Sequence, residues 1–254
     1  DVGYDGVEPW VRELDAYIER GGELADLRKQ LDDRGLVVPN LIGFFEWGSP
    51  DATVRAAALD EARRNMDLAV ALGCTGLAAP PMGITDQSDI PLFDLAERYG
   101  QLVAVGREYG VTPILEFWGH SQILCRLGEA LLVAGESGAP EACILGDVFH
   151  MYKGGGTFEA LKLIGPQTLS LVHMNDYPAE PSRDVITDAQ RVYPGDGVAP
   201  LDQILSDLAR AGYTGMLSLE LFNRDYWQQD PRAVLTTGLA KMKAAVARAL
   251  ASDA

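Results

Sequence analysis

The chain holds only three cysteines in 254 residues, Cys74, Cys125 and Cys143, and no CxxC pair. Widely spaced thiols in odd number exclude a disulfide scaffold and a Cys-type zinc site. They fit reduced, mostly buried side chains in a reducing compartment, the cytoplasm. Basic residues are also few: 21 Lys and Arg stand against 37 Asp and Glu, a formal net charge of −16. No basic stripe is present to follow a nucleic-acid backbone, and an acidic surface is repelled by an anionic membrane. No apolar run reaches the ~18 to 20 residues that a membrane span needs. Nucleotide loops are missing as well. Neither GxGxxG nor GxxxxGK[ST] follows an early apolar run, and Gly154-Gly155-Gly156 has the wrong spacing and reads as a flexible loop.

What is present is an alternation. Short apolar runs at 5–9, 36–45, 76–80, 112–117, 142–147, 169–175 and 216–221 read as strands. Helical periodicity occupies 52–72, 92–110, 121–137, 158–164, 201–211 and 231–252. Gly73, Gly110 and Gly212 stand where helices should stop. Strands alternating with helices imply a buried parallel sheet. With 47% hydrophobic residues and no linker-like stretch, residues 1–254 read as one α/β domain, a (β/α)₈ TIM barrel rather than a doubly wound sheet.

The informative polar residues stand at the ends of the apolar runs. Ile114-Leu115 leads into Glu116, Ile144-Leu145-Gly146 into Asp147, Leu169–Val172 into His173, and Leu217–Leu219 into Glu220. In a parallel barrel all strand C-termini open at one face. Carboxylates buried there are costly unless paired or coordinated. A divalent cation held by Glu116, Asp147, His173 and Glu220 resolves their repulsion. Mn²⁺ leads the ions this oxygen-rich set accepts, with Mg²⁺, Co²⁺ and Zn²⁺ behind it. The three histidines, His120, His150 and His173, all fall at or just after such run ends. A single histidine is more often packed than ligating; three at one expected face weigh the other way.

The segments Leu115-Glu116-Phe117-Trp118-Gly119-His120, Asp147-Val148-Phe149-His150, Val172-His173-Met174-Asn175-Asp176 and Ser218-Leu219-Glu220-Leu221-Phe222 resemble the sugar phosphate isomerase/epimerase family, the xylose isomerase-like TIM barrels. The loop Thr187-Asp188-Ala189-Gln190-Arg191-Val192-Tyr193-Pro194-Gly195-Asp196-Gly197 is most similar to the inosose isomerase branch of that family. The resemblance implies a divalent-metal-dependent isomerase or epimerase of a keto-sugar or keto-cyclitol, working by proton transfer through an enediolate. It implies one metal ion on Glu116, Asp147, His173 and Glu220, with Glu116 and Glu220 also moving protons. It places His150 against the substrate or behind the ligands, and Arg191 on substrate oxygens. The expected partner is a small polyol or keto-sugar, together at most with further copies of the chain in a homo-oligomer.

Other residues invite two readings. Trp118, with His120 beside it, is either core or a ring that stacks on a sugar. Phe44, Phe45 and Trp47 are either core or an apolar wall. Asn175 and Asp176 are placed to orient His173 through its other ring nitrogen. Arg183 competes with Arg191 in the long loop from 176 to 197, and Lys153 reads as a solvated cation. A lyase or dehydratase on the same barrel would use the same base and metal. An endonuclease IV-type phosphodiesterase needs more histidines than three. A non-catalytic sugar-binding subunit would have no use for a full ligand set. Finally, Asp1-Val2-Gly3-Tyr4-Asp5-Gly6-Val7-Glu8-Pro9 resembles the family's second strand, so a first strand and helix of roughly 25 residues is expected upstream.

Overall fold

The structure, a computed structural model, describes residues 2–251. Its contacts divide the described residues into two units, one of residues 5–145 and one of residues 146–251 joined by residues 2–4.

In the first unit the extended segment 5–10 pairs in parallel with 37–42 (Gly6↔Val37, Trp10↔Ile42), which pairs through Leu41 with Leu77. Between the two segments lie α1 (Val11–Glu19) and α2 (Leu24–Asp32), followed by α3 (Ala52–Ala71). Sequence periodicity did not single out α1 and α2; they are short, charged and broken by Gly21-Gly22. Next come β1 (Gly76–Ala79), α4 (Leu92–Tyr109), β2 (Thr112–Glu116), α5 (Leu127–Glu136) and β3 (Cys143–Asp147). The pairs β1–β2 and β2–β3 are parallel. Leu77, Ala78, Ala79, Ile114, Leu115, Ile144 and Leu145 are fully buried, as strands covered on both faces should be.

Side chains fasten these elements. Asp51 caps α3 by accepting from Thr53 N and Val54 N at 2.7 and 3.2 Å. At the other end Gly73 takes φ 65°, and a Cβ there would collide with the Arg28 guanidinium, which donates to Leu72 O at 2.7 Å. The positive φ is what favours glycine there; a Cβ would in addition push the Arg28 guanidinium off Leu72 O. Tyr99 on α4 ties two strands together: its hydroxyl lies 2.8 Å from Pro113 O and 3.1 Å from Cys143 O. Trp47 is core, not wall; it is buried and donates Nε1 to Pro80 O at 2.7 Å, and Phe45 is buried beside it in sequence. The helix expected from 121 begins only at Leu127. Residues before it form a loop in which Leu124 has φ 52°, and Glu129 reaches back to accept from Cys125 N. All three cysteines are free thiols; only Cys74 is fully buried.

The second unit takes in Gly146 and Asp147, the last two residues of β3, and continues directly into α6 (Val148–Lys153), a short helix. The expected helix at 158–164 is a 3-10 turn, Phe158–Leu163, cut short before Gly165-Pro166. Then follow β4 (Leu169–Met174), α7 (Leu201–Arg210), β5 (Met216–Leu219), α8 (Arg224–Trp227) and α9 (Pro231–Ala251). Strands β4 and β5 are parallel, with Leu171↔Met216 through Met174↔Leu219, and Glu220 N continues the ladder to Met174 O. Leu201, Ile204, Leu205 and Leu208 form the buried apolar stripe of α7, at helical spacing, and the helix packs against α9, where Ser206 Oγ donates to Ala249 O at 3.3 Å. No helix among the described residues is long and apolar enough to cross a membrane.

Candidate metal centre and active site

Three residues of the second unit deliver the site. Asp147 ends β3 and is fully buried. Its Oδ1 accepts from His150 N at 2.8 Å, so the residue is at once the strand end and the N-cap of α6. His173 is the fifth residue of β4 and points to the same place. Its Nδ1 lies 3.1 Å from Glu220 Oε2 and 3.7 Å from Asp147 Oδ2. Glu220 follows β5 and is 18% exposed. One ligand-type atom from each of Asp147, His173 and Glu220 falls within 4.8 Å of the others. Neighbouring parallel strands place their C-terminal side chains side by side, which brings together residues 26 to 73 positions apart in the chain.

Arg191 runs through the middle of this group and is fully buried. Its Nη1 donates to Asp147 Oδ2 and to Glu220 Oε2, each at 2.8 Å. Nη2 meets His150 Nε2 at 3.2 Å and Asp188 Oδ1 at 2.5 Å, and Nε donates to Asp188 Oδ1 at 3.0 Å. Phe149 and Phe222 lie 4.9 and 5.1 Å from the guanidinium carbon, a cation–π contact from each. Because arginine only donates, His150 Nε2 carries the lone pair and the ring proton sits on Nδ1.

The electrostatics follow from burial. Burial pushes the His150 ring down to about 4, with the Arg191 charge acting in the same direction, so the ring is neutral near pH 7. Burial alone would raise the Asp147 carboxyl; Arg191, His150 and His173 more than reverse this and hold it well below the usual carboxylate range. For Arg191 burial works against the charge, and Asp147, Glu220 and Asp188 outweigh it. Three carboxylates against one guanidinium leave two uncompensated negative charges. Two carboxylates, an imidazole and that residual charge fit a divalent ion.

The remaining expected residues sit as follows. Asn175 is buried and donates Nδ2 to Asp147 Oδ2 at 3.2 Å. Asp176 has a different partner set from the one expected. Its carboxylate accepts from the backbone N–H groups of Tyr177, Gly195, Gly197 and Ala199, and its backbone pairs with Val192 in both directions. It therefore organises the loop that carries Arg191 and does not orient His173. Lys153 is not merely solvated: it donates to Arg183 O and Asp184 O. The Arg183 guanidinium packs by Gly155, with none of the site's groups as a hydrogen-bond partner. Asp188, Phe149 and Phe222 were not foreseen. For Asp188 a signal existed, the capping pattern Thr187-x-x-Gln190 that fixes a 3-10 turn (Asp188–Gln190) three residues before Arg191.

In the first unit Glu116 is the last residue of β2 and is buried. Just beyond it is a row of aromatic rings. Trp10 meets Phe44 edge-on at 5.1 Å, Phe44 lies 6.1 Å from Trp118, and Trp118 stacks on His120 at 5.3 Å. Phe44 is 38% exposed, so it is not core.

Parallel βα units with an acidic, histidine-bearing cluster at strand C-termini define the class of metal-capable α/β barrels. The sequence profile described as xylose isomerase-like TIM barrel matches residues 1–245, and the chain belongs to that family. It is 26% identical to the inosose isomerase of Bacillus velezensis over 258 aligned positions, covering 99% of this chain and 91% of that protein. It is 33% identical over 138 residues to the inosose isomerase of Halalkalibacterium halodurans; that match spans 54% of this chain and about half, 49%, of the relative. Among solved structures, the IolI protein with a bound zinc atom superposes with a TM-score of 0.88 at 22% identity, covering 97% of this chain and 89% of that one.

Proposed function

We propose that the chain is a divalent-metal-dependent isomerase or epimerase of a keto-cyclitol or keto-sugar, of the inosose type. The observation that carries this reading is the Asp147–His173–Glu220 cluster, buried but for the half-buried Glu220 and threaded by Arg191. Asp147, His173 and Glu220 hold the ion, with Glu116 as the fourth ligand. Mn²⁺ is the ion first expected, and the zinc in the IolI relative makes Zn²⁺ the second to try. A bound divalent ion supplies Lewis-acid stabilisation of an enediolate oxygen.

The chain's own residues do the rest. Glu220 is partly exposed while its neighbours are buried, so it is the carboxylate placed to meet substrate and move a proton. Glu116 is the second proton carrier. His150, held neutral, donates or accepts a hydrogen bond without adding charge. Arg191 binds substrate oxygens, and Trp118 with His120 stacks on the ring's apolar face. The partner is a small polyol or keto-sugar, and the −16 charge disfavours polyanionic ones.

The test is a panel of inososes, ketohexoses and 3-keto-glycosides, incubated with Mn²⁺ in D₂O and followed by NMR. Isomerised or epimerised product with deuterium at the carbon next to the carbonyl is expected. An unsaturated product would instead establish a dehydratase on the same site. Full activity in the presence of a strong chelator would overturn the metal reading.

A further inference from the structure

A guanidinium has five N–H donors, and in Arg191 all five are engaged within the protein. Nε and one hydrogen of Nη2 go to Asp188 Oδ1, the other hydrogen of Nη2 to His150 Nε2, and the two of Nη1 to Asp147 Oδ2 and Glu220 Oε2. No donor is left for a substrate oxygen. The two Nη1 contacts fall on the carboxylate oxygens nearest His173 Nδ1, the atoms among which a divalent ion would be held. The guanidinium's other edge is anchored separately, on Asp188.

We infer that Arg191 is the resident cation of the metal seat: its Nη1 edge holds Asp147 and Glu220 together until a divalent ion takes their oxygens. This rests on the metal-dependent reading above. A divalent charge and the Nη1 hydrogens repel each other at such range, and Asp147 Oδ2 already accepts from both Arg191 Nη1 and Asn175 Nδ2, which engages its two lone pairs. Loading the ion therefore frees Nη1 while Asp188 keeps Nε and Nη2 in place. The edge released is the one turned toward the ligand carboxylates, where substrate oxygens are expected. Metal uptake thus switches Arg191 from a structural cation to a substrate donor, and metal must enter before substrate is gripped.

The test is calorimetric titration of Mn²⁺, and separately Zn²⁺, into chelator-stripped wild-type protein, Arg191→Gln and Arg191→Lys. Gln removes the competing charge, so metal binding tightens by ~10-fold or more. Lys keeps the charge on a flexible stem that does not bridge both carboxylates well, so its affinity falls between the two. Thermal melting supplies a second readout. Metal-free Arg191→Gln melts below wild type because Asp147, Glu220 and Asp188 lose their shared counter-ion, and metal restores more stability to it than to wild type. Should Arg191→Gln fail to fold, the Arg191→Lys comparison decides alone. Equal or weaker metal binding in the folded variants overturns the inference while leaving the metal site intact. Absence of binding in every protein, wild type included, overturns the metal site itself and the inference with it.

Discussion

Replacing Asp176 with Asn tests how the Arg191 loop is built. The carboxylate of Asp176 is buried and accepts four backbone N–H groups: Tyr177 and Ala199 on Oδ1 at 2.8 and 2.9 Å, Gly195 and Gly197 on Oδ2 at 2.9 and 3.1 Å. An asparagine has the same shape but one acceptor atom. Whichever way its amide turns, an NH₂ group faces two backbone donors, and the other two bonds lose their charge assistance. Two orphaned buried donors cost about 1–3 kcal/mol each, and two weakened bonds add about 0.5–1 kcal/mol each. Some relaxation returns, so the net loss is about 3–5 kcal/mol, a large share of the ~5–15 kcal/mol by which domains are stable. Asp176→Glu is no rescue, because the extra methylene has nowhere to go: a single Cβ on Gly197 would already collide with Asp176 and with Tyr177 O. Urea denaturation followed by circular dichroism reads the change as a lowered midpoint at unchanged slope. An Asp176→Asn protein within ~1 kcal/mol of wild type would refute the claim that this carboxylate templates the loop.

Tyr99→Phe removes the hydroxyl between Pro113 O and Cys143 O, and should cost about 1–3 kcal/mol in the same urea assay; no loss would mean the two strands do not depend on it. His150 refuses a proton until about pH 4 in the folded site, whereas the unfolded chain takes it up near pH 6.5. The unfolded state thus binds more protons in that window, so stability is full above it and falls as pH drops, by ~2 kcal/mol at pH 5. His150→Asn should flatten that slope; an unchanged slope would show that another group causes it. Under the isomerase reading, Trp118→Ala should raise KM about 5- to 10-fold with little change in kcat, the loss of one ring contact, and an unchanged KM would remove Trp118 from the substrate wall.

Strands β1 to β4 were legible because burial on both faces leaves a plain mark; β5 is half-buried throughout. The buried pairs Ile114-Leu115 and Leu171-Val172 stand directly before Glu116 and His173, so the polar residue after such a pair marks the approach of the strand end, although β4 also carries an exposed Ser170. The helices were less legible where local rules ran against tertiary ones. Ala56 and Leu59 fit helical spacing in α3, yet the buried stripe is Ala58, Ala62, Asn65, Met66 and Ala69; an alanine-rich helix shows periodicity in more than one register. Before α5 the sequence 121–126 has helical character, and Glu129 caps Cys125 N from within the helix. Single-residue propensity carries no record of that backward hydrogen bond.

The site divides along the same physical line. Asp147, His173 and Glu220 come from strand ends, whose placement the parallel sheet dictates, and they could be named from spacing and family likeness. The residues that act on them from the loop could be named but not given their geometry. Arg191 reaches Asp147 because Val192 pairs with Asp176, and Asp176 does so because four backbone amides from 177 to 199 converge on its carboxylate. That convergence needs Gly197 without a side chain and Gly195 at φ 89°. Each requirement is readable in the sequence as an acid or a glycine, but acids and glycines are common in this chain, at 37 and 27. What selects among them is closure of a loop on a single buried charge, a non-local event. The assignment of Asp188 as anchor for Arg191, and of Asp176 as template for the loop, therefore had to come from the assembled backbone. The three strand-end ligand candidates are the part of the site that sheet geometry alone makes foreseeable.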